Sequence, residues 1–197
     1  MNPRRVFTAA LLGSALPLAE AAQPEGTGPL RGAAQLTLSG PALGRANRGP
    51  VNPVLEQLFR KHQVAFERGF EFDAAALQAL PAVEIRPTLE YDGREHRLSG
   101  PLLEQVLAAA GVAPSAPMVL TLRALDGYAV RVPLTDARRW RMLVATRLDG
   151  RPMALGGLGP QWAVYDADRL PDFRDKPLKE RFSLCPWGLY HMEIAPA

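Results

Sequence analysis

The sequence predicts an α+β fold in which strands dominate, and three observations carry that reading. Short apolar or alternating stretches recur at 35–39, 83–89, 118–124, 128–132, 142–147, 162–165 and 189–194. These are the lengths and patterns of strands that bury at least one face. Asp-Gly pairs stand at 92–93, 126–127 and 149–150, where a tight hairpin needs residues that accept positive φ. The 197 residues include 19 Pro and 17 Gly, which favours many short elements joined by turns over long helices.

In chain order, residues 35–39 alternate and read as the first strand. Residues 40–50 form a loop carrying Arg45, Asn47 and Arg48. Asn52-Pro53 then predicts a helix start, because Asn caps and Pro is tolerated at the first helical position. Its buried stripe is expected to be Val54, Leu55, Leu58 and Phe59. Alternating aromatics over 66–72 predict a strand, and Asp73 caps a short helix that Pro81 stops. Residues 83–89 read as a strand that turns at Asp92-Gly93. Ser99-Gly100-Pro101 is expected to open a helix with Leu102, Leu103, Val106 and Leu107 inward. Gly111 ends it in the left-handed conformation. Residues 118–124 and 128–132 pair across Asp126-Gly127, and 142–147 turns at Asp149-Gly150. Residues 162–165 and 189–194 are the last strands, joined by a charged, Pro-containing loop at 166–181.

Hydrophobic residues make up 47% and charged residues 22%, a globular balance. The net charge is +3 and the basic residues are interleaved with acids, so the chain carries no electrostatic footprint for nucleic acid. The sequence divides into an export signal at 1–21, a Gly/Pro-rich flexible lead-in at 22–32 and one domain at 33–197. Arg4 and Arg5 precede an apolar run at 6–18, and Ala19-Glu20-Ala21 has the small-x-small pattern of a cleavage site. The run is too short to span a bilayer, and no later stretch is long and apolar enough. The expected destination is the periplasm or the exterior, by either the general secretory or the twin-arginine route.

The residues support little chemistry outright. His62, His96 and His191 are far apart, without the close ligand pairs of a zinc site. There is no Gly-x-Ser-x-Gly elbow, and Gly156-Gly157-Leu158-Gly159 precedes a proline and a strand instead of a helix. The lone cysteine, Cys185, leaves no internal disulfide and sits in an apolar stretch that predicts a buried, inert thiol. Aromatic residues are only 7% of the chain, which argues against a sugar-binding face.

The series Asp126-Gly127-Tyr128, Pro133-Leu134, Asp149-Gly150-Arg151-Pro152 and Gly159-Pro160 has a recognisable order. It follows Leu36-Thr37-Leu38-Ser39-Gly40, a phenylalanine, short helix and Leu-Pro over 72–83, and Leu98-Ser99-Gly100-Pro101-Leu102. Together these resemble the oxidoreductase molybdopterin-binding domain family, which has the fold of the sulfite oxidase catalytic domain, over 36–194. Catalytic members of that family hold molybdenum through a cysteine thiolate in a Cys-x-Gly-Asn tract. The matching tract here is Glu90-Tyr91-Asp92-Gly93-Arg94. The resemblance therefore implies the fold and denies thiolate-ligated molybdenum. Tyr91 offers a phenolate only if its pKa of about 10 is depressed. Molybdopterin itself stays open as a ligand implied by the resemblance.

The candidate binding residues are Arg45, Asn47 and Arg48, suited to an anion through charge-assisted contacts, together with Tyr91, Asp126 and Tyr128. Asp126 and Tyr128 also have plain turn and strand roles. Two functions stay open. One is an exported oxidoreductase-like domain holding an anionic ligand or pterin. The other is a non-catalytic periplasmic module on the same fold, binding a small anion or docking to a membrane protein partner. The signal generates a first prediction: intact-mass measurement of the protein recovered from the periplasm gives a chain starting near Ala22. A full-length cytoplasmic product would contradict it.

Overall fold

A computed structural model describes residues 30–113 and 117–197. The expected signal, its cleavage site and most of the lead-in lie outside the described residues.

Strand β1 (Leu36–Ser39) is buried along its whole length. Its alternation suggests one open face, yet Thr37 and Ser39 are also covered, because β1 has a strand on each side and packing on both faces. Asn52 takes the backbone N–H groups of Val54 and Leu55 on its Oδ1, as expected of a cap. The helix that follows, α1 (Gln57–Lys61), starts later than predicted. Of the expected stripe only Phe59 is buried, while Val54 and Leu55 are exposed. The reason lies in Glu56, whose carboxylate reaches back to the Asn52 N–H and to Arg48 and holds 52–56 as a separate turn.

Strand β2 (Gly69–Phe72) pairs antiparallel with β1. Asp73 then caps α2 (Ala74–Ala79) through a bond from the Ala76 N–H at 2.7 Å. Its other oxygen accepts the N–H groups of Arg31 and Gly32. These donors, Ala76 first, hold the carboxyl below its usual range. Strand β3 (Ala82–Ile85) is shorter than the predicted 83–89. It pairs with β4 (Leu98–Pro101), so Ser99-Gly100-Pro101 belongs to a strand and does not open a helix. A Cβ on Gly100 would lie 2.0 Å from the Val144 carbonyl oxygen. Only glycine lets these two backbones approach so closely. The helix α3 (Leu103–Ala109) follows, with Leu103, Val106 and Leu107 buried, and Gly111 ends it at φ 71.

Strand β5 (Met118–Ala124) buries every second residue, and β6 (Ala129–Pro133) pairs with it across the Asp126-Gly127 turn. Helix α4 (Leu134–Arg139) was not anticipated. Its signal was legible: Asp136 in the first turn and Arg138-Arg139 in the last complement the helix dipole. The stretch 142–147 divides into β7 (Leu143–Ala145) and β8 (Arg147–Leu148). The latter turns at Asp149 (φ 49) and Gly150 (φ 79) into β9 (Arg151–Pro152), the two positive φ values of a tight hairpin. Strand β10 (Trp162–Val164) pairs with β7, and β11 (Leu189–Pro196) is the last strand described.

The main sheet runs β2-β1-β11-β5-β6, with a second sheet β3-β4-β8-β9 and the pair β10-β7. Strand β11 is parallel to β1 and antiparallel to β5, with Leu38 opposite Met192 and Leu120 opposite Ile194. Leu36, Leu38, Leu120, Leu122, Met192 and Ile194 are fully buried. Each such side chain contributes roughly 1.5–3 kcal/mol. A smaller cluster of Phe59, Val64 and Tyr190 lies apart from this core. The fold is thus α+β with strands dominant.

His96 ties two hairpin turns together: Nε2 bonds Asp92 at 2.9 Å and Nδ1 bonds Asp149 at 2.8 Å. Both partners are acceptors, so both ring nitrogens donate only in the imidazolium form. The bond to Asp149, then that to Asp92, raises the His96 pKa. Both carboxyls are lowered, chiefly by His96. The raised histidine contributes stability below its unfolded value of about 6.5 and loses it as pH rises through the folded value. The lowered carboxyls contribute above about 3.9 and lose it as pH falls. Chemical denaturation should therefore show the wild type's advantage over His96→Gln to be larger at about pH 5.5 than at about pH 8.5. An equal difference at both would contradict the account.

Candidate functional site

The turn between β5 and β6 is built by its own side chain: Asp126 Oδ1 accepts the Tyr128 N–H at 2.9 Å, and Gly127 supplies φ 92. Two bonds fix this turn against the segment entering β11. The Leu125 N–H donates to the Gly188 carbonyl at 2.9 Å, and the Tyr128 hydroxyl donates to the Ser183 carbonyl at 2.5 Å. Residues 182–188 therefore stand beside residues 124–128, although some sixty positions separate them in sequence.

Between these segments and Glu90-Tyr91 lies a cleft of about 280 Å³, lined by Glu90, Tyr91, Ala124, Asp126, Tyr128, Lys179, Phe182, Ser183, Cys185 and Trp187. Tyr91, Asp126 and Tyr128, separate candidates in the sequence, meet here. Glu90, Lys179, Phe182, Ser183 and Trp187 were missed. The aromatics flanking Cys185 at 182 and 187 were the available signal.

Tyr91 is about half exposed, and burial of its hydroxyl, then the neighbouring Glu90, push its pKa up to about 12. It is a phenol and not a phenolate at neutral pH. Burial also raises Tyr128. Cys185 is fully enclosed, and burial pushes its thiol up to about 12, which keeps it neutral. In sequence it is far from the 90–94 tract. In space it lies at the wall of the same cleft as Tyr91.

Molybdenum held by sulfur needs a cysteine that the metal can reach, and Cys185, the one cysteine of the chain, is enclosed. Among the described residues no group of three or more His, Cys, Asp or Glu is placed to hold a metal ion. The cleft has one cation, Lys179, against the carboxylates of Glu90 and Asp126, so it does not suit a phosphate either. These residues do not fit a thiolate-bound molybdenum cofactor.

The loop of Arg45, Asn47 and Arg48 does not join this cleft. Arg48 bonds Glu56 through two nitrogens and Glu71 through one, each at 2.8 Å. Its guanidinium carbon lies 4.9 Å from the Phe66 ring centroid. The bond to Glu56 foremost raises the Arg48 pKa, and Arg48 foremost lowers that of Glu56. The Asn47 amide is bonded to both backbone groups of Glu71. Arg45 is exposed, with its stem against Gly111. Asn47 and Arg48 clamp residues 47–56 to β2, with their donors on protein acceptors, while Arg45 stays exposed.

A buried Ser–His pair is also present. Ser39 Oγ and His191 Nε2 are 2.9 Å apart, and Arg123 donates to His191 Nδ1 at 3.3 Å. That donation puts the ring proton on Nε2, so the ring donates to Ser39 and cannot draw a proton from it. Burial, then Arg123, pushes the His191 pKa down to about 3. Phe66 stacks on the ring at 6.0 Å. The pair is a satisfied core contact without nucleophilic chemistry.

No family model matches the chain, and no curated protein matches it. Among the described residues no helix is long and apolar enough to cross a membrane.

The state of the thiol is directly testable. In native buffer near pH 8, iodoacetamide should modify Cys185 only as fast as the fold opens, and rapidly in denaturant. Labelling of the native protein at the rate of a free thiol would contradict the enclosure.

Proposed function

We propose that the chain is an exported, non-catalytic ligand-binding module. Its fold resembles the molybdopterin-binding domain of sulfite oxidase, and it binds a planar heteroaromatic ligand of the pterin type without a metal–thiolate bond. One observation carries this reading: Tyr91, Asp126 and Tyr128 converge on one cleft with Trp187 and Phe182. Aromatic side chains give a flat ring offset-stacked contact. A carboxylate such as Asp126 has two acceptor oxygens, the complement of the adjacent N–H groups on an amino-pyrimidinone edge. The cleft's two acids against one lysine favour such a donor edge over an anionic group. The redox reading finds no support in an enclosed Cys185.

Titration of pterin into the purified mature protein, followed by calorimetry and by tryptophan fluorescence, tests the reading. Saturable binding is expected. Asp126→Asn keeps a good turn residue and removes the charge. It should weaken binding by about 1.5–3 kcal/mol, the worth of a charged hydrogen bond, or roughly ten- to a hundredfold. Absence of binding, or binding unchanged by Asp126→Asn, would reject the reading.

A further inference from the structure

The turn ahead of α1 presents a run of apolar residues, Pro53, Val54 and Leu55, to solvent. Val54 is 75% exposed and Leu55 78%, and among the described residues no large apolar side chain is more open. Single exposed apolar residues are ordinary, but a consecutive run of them works against solubility and calls for a function.

The run is held outward by a built turn. Asn52 Oδ1 takes the N–H groups of Val54 at 3.0 Å and Leu55 at 3.2 Å. The Glu56 carboxylate takes the Asn52 N–H at 2.6 Å and pairs with Arg48 at 2.8 Å. The Gln57 amide donates to the Val54 carbonyl at 2.6 Å. Val51 and Leu58, on either side of the turn, pack on the cluster of Phe59, Val64 and Tyr190, whereas Val54 and Leu55 belong to neither hydrophobic cluster. The base of the turn is anchored and its tip is bare.

The charges beside the tip are one-sided. Residues 51–68 carry three cations, Arg60, Lys61 and Arg68, and two acids, Glu56 and Glu67. Glu56 is already taken by Arg48. The side chains of Arg60, Lys61 and Arg68 are exposed and make no hydrogen bond or ion pair among the described residues. Arg60 and Lys61 form the last turn of α1, just after the tip. The bond from the Val51 N–H to the Phe66 carbonyl at 3.1 Å brings the segment leading to Arg68 alongside the other flank.

We propose that this tip docks the protein onto an anionic lipid bilayer, with Val54 and Leu55 entering the boundary between headgroups and acyl chains and Arg60, Lys61 and Arg68 facing lipid phosphates. An apolar surface flanked by cations is the pattern of interfacial binding, and each cation held near a negative lipid surface adds to it. A second copy of the chain fits poorly. A stable protein contact takes roughly 800 Å² from each partner, far more than this tip supplies, and a twofold contact here sets the free cations of both copies against each other. The surface is independent of the cleft at Tyr91, since none of these residues lines that cleft.

The experiment floats the whole mature protein with vesicles of phosphatidylcholine, either alone or mixed equally with phosphatidylglycerol. Association with the anionic vesicles is expected, falling as salt is raised, with little on the neutral ones. The double substitution Val54→Ser, Leu55→Ser changes only exposed side chains, so the protein should stay folded while its partition weakens roughly tenfold or more. Arg60→Gln with Lys61→Gln should weaken it by about fivefold per charge. Arg174→Gln removes an exposed cation from the 166–181 segment and should leave it unchanged. No association with the anionic vesicles would overturn the proposal. So would partition of the Val54→Ser, Leu55→Ser protein equal to that of the wild type, or equal partition onto both kinds of vesicle at every salt concentration. A dimer in sedimentation that the same double substitution abolishes would give the tip to a second copy and overturn it too.

Discussion

The insertion of the last strand between the first strand and the middle of the chain is the constraint on which the rest depends. β11 takes β1 on one side and β5 on the other, so the five-stranded sheet is incomplete until the C-terminal residues arrive. The pairings are long-range and bring loop-closure entropy with them. The interlocking of Leu36, Leu38, Leu120, Leu122, Met192 and Ile194 in one buried layer offsets it. The same insertion sets the functional geometry. Just before β11, Gly188 receives the Leu125 N–H and Ser183 receives the Tyr128 hydroxyl, and these contacts hold 182–188 beside 124–128 at the cleft.

Local rules were legible where a local residue decides the outcome. The Asp126-Gly127 and Asp149-Gly150 turns, the Asp73 cap and the Gly111 stop all follow from side-chain hydrogen bonding or positive φ at one position. So did the alternation of β5. Reading failed where a distant partner decides. Ser99-Gly100-Pro101 has helix-start chemistry, but β3 and β8 claim it as the middle of a sheet. Val54 and Leu55 have a buried stripe's spacing, but Glu56 is held by Arg48 and Asn52, so the turn presents them to solvent. Helix α4 went unread although its charges were ordered along the dipole.

The candidate site shows the same division. Tyr91, Asp126 and Tyr128 were legible as candidates, because turn residues and an aromatic in the 90–94 tract stand out in sequence. That they share one cleft was not legible, and neither was the role of 182–187, since a backbone bond across some sixty residues leaves no local trace. Arg48 was misread for a complementary reason. A cluster of donors looks free until its acceptors are found, and Glu56 and Glu71 lie eight and twenty-three residues from Arg48. Cys185 is the converse case: far from the tract in sequence, it lines the cleft, yet its enclosure keeps it protonated and inert.

The cleft at Tyr91 has one cysteine at its wall, and that cysteine is enclosed, so it presents no reachable sulfur to a metal. The most direct measurement is elemental analysis of the protein purified from its native host, with molybdenum and tungsten quantified against protein. Both are expected to fall far below one atom per chain, in the wild type and in Cys185→Ser alike. One molybdenum or tungsten atom per chain would contradict it.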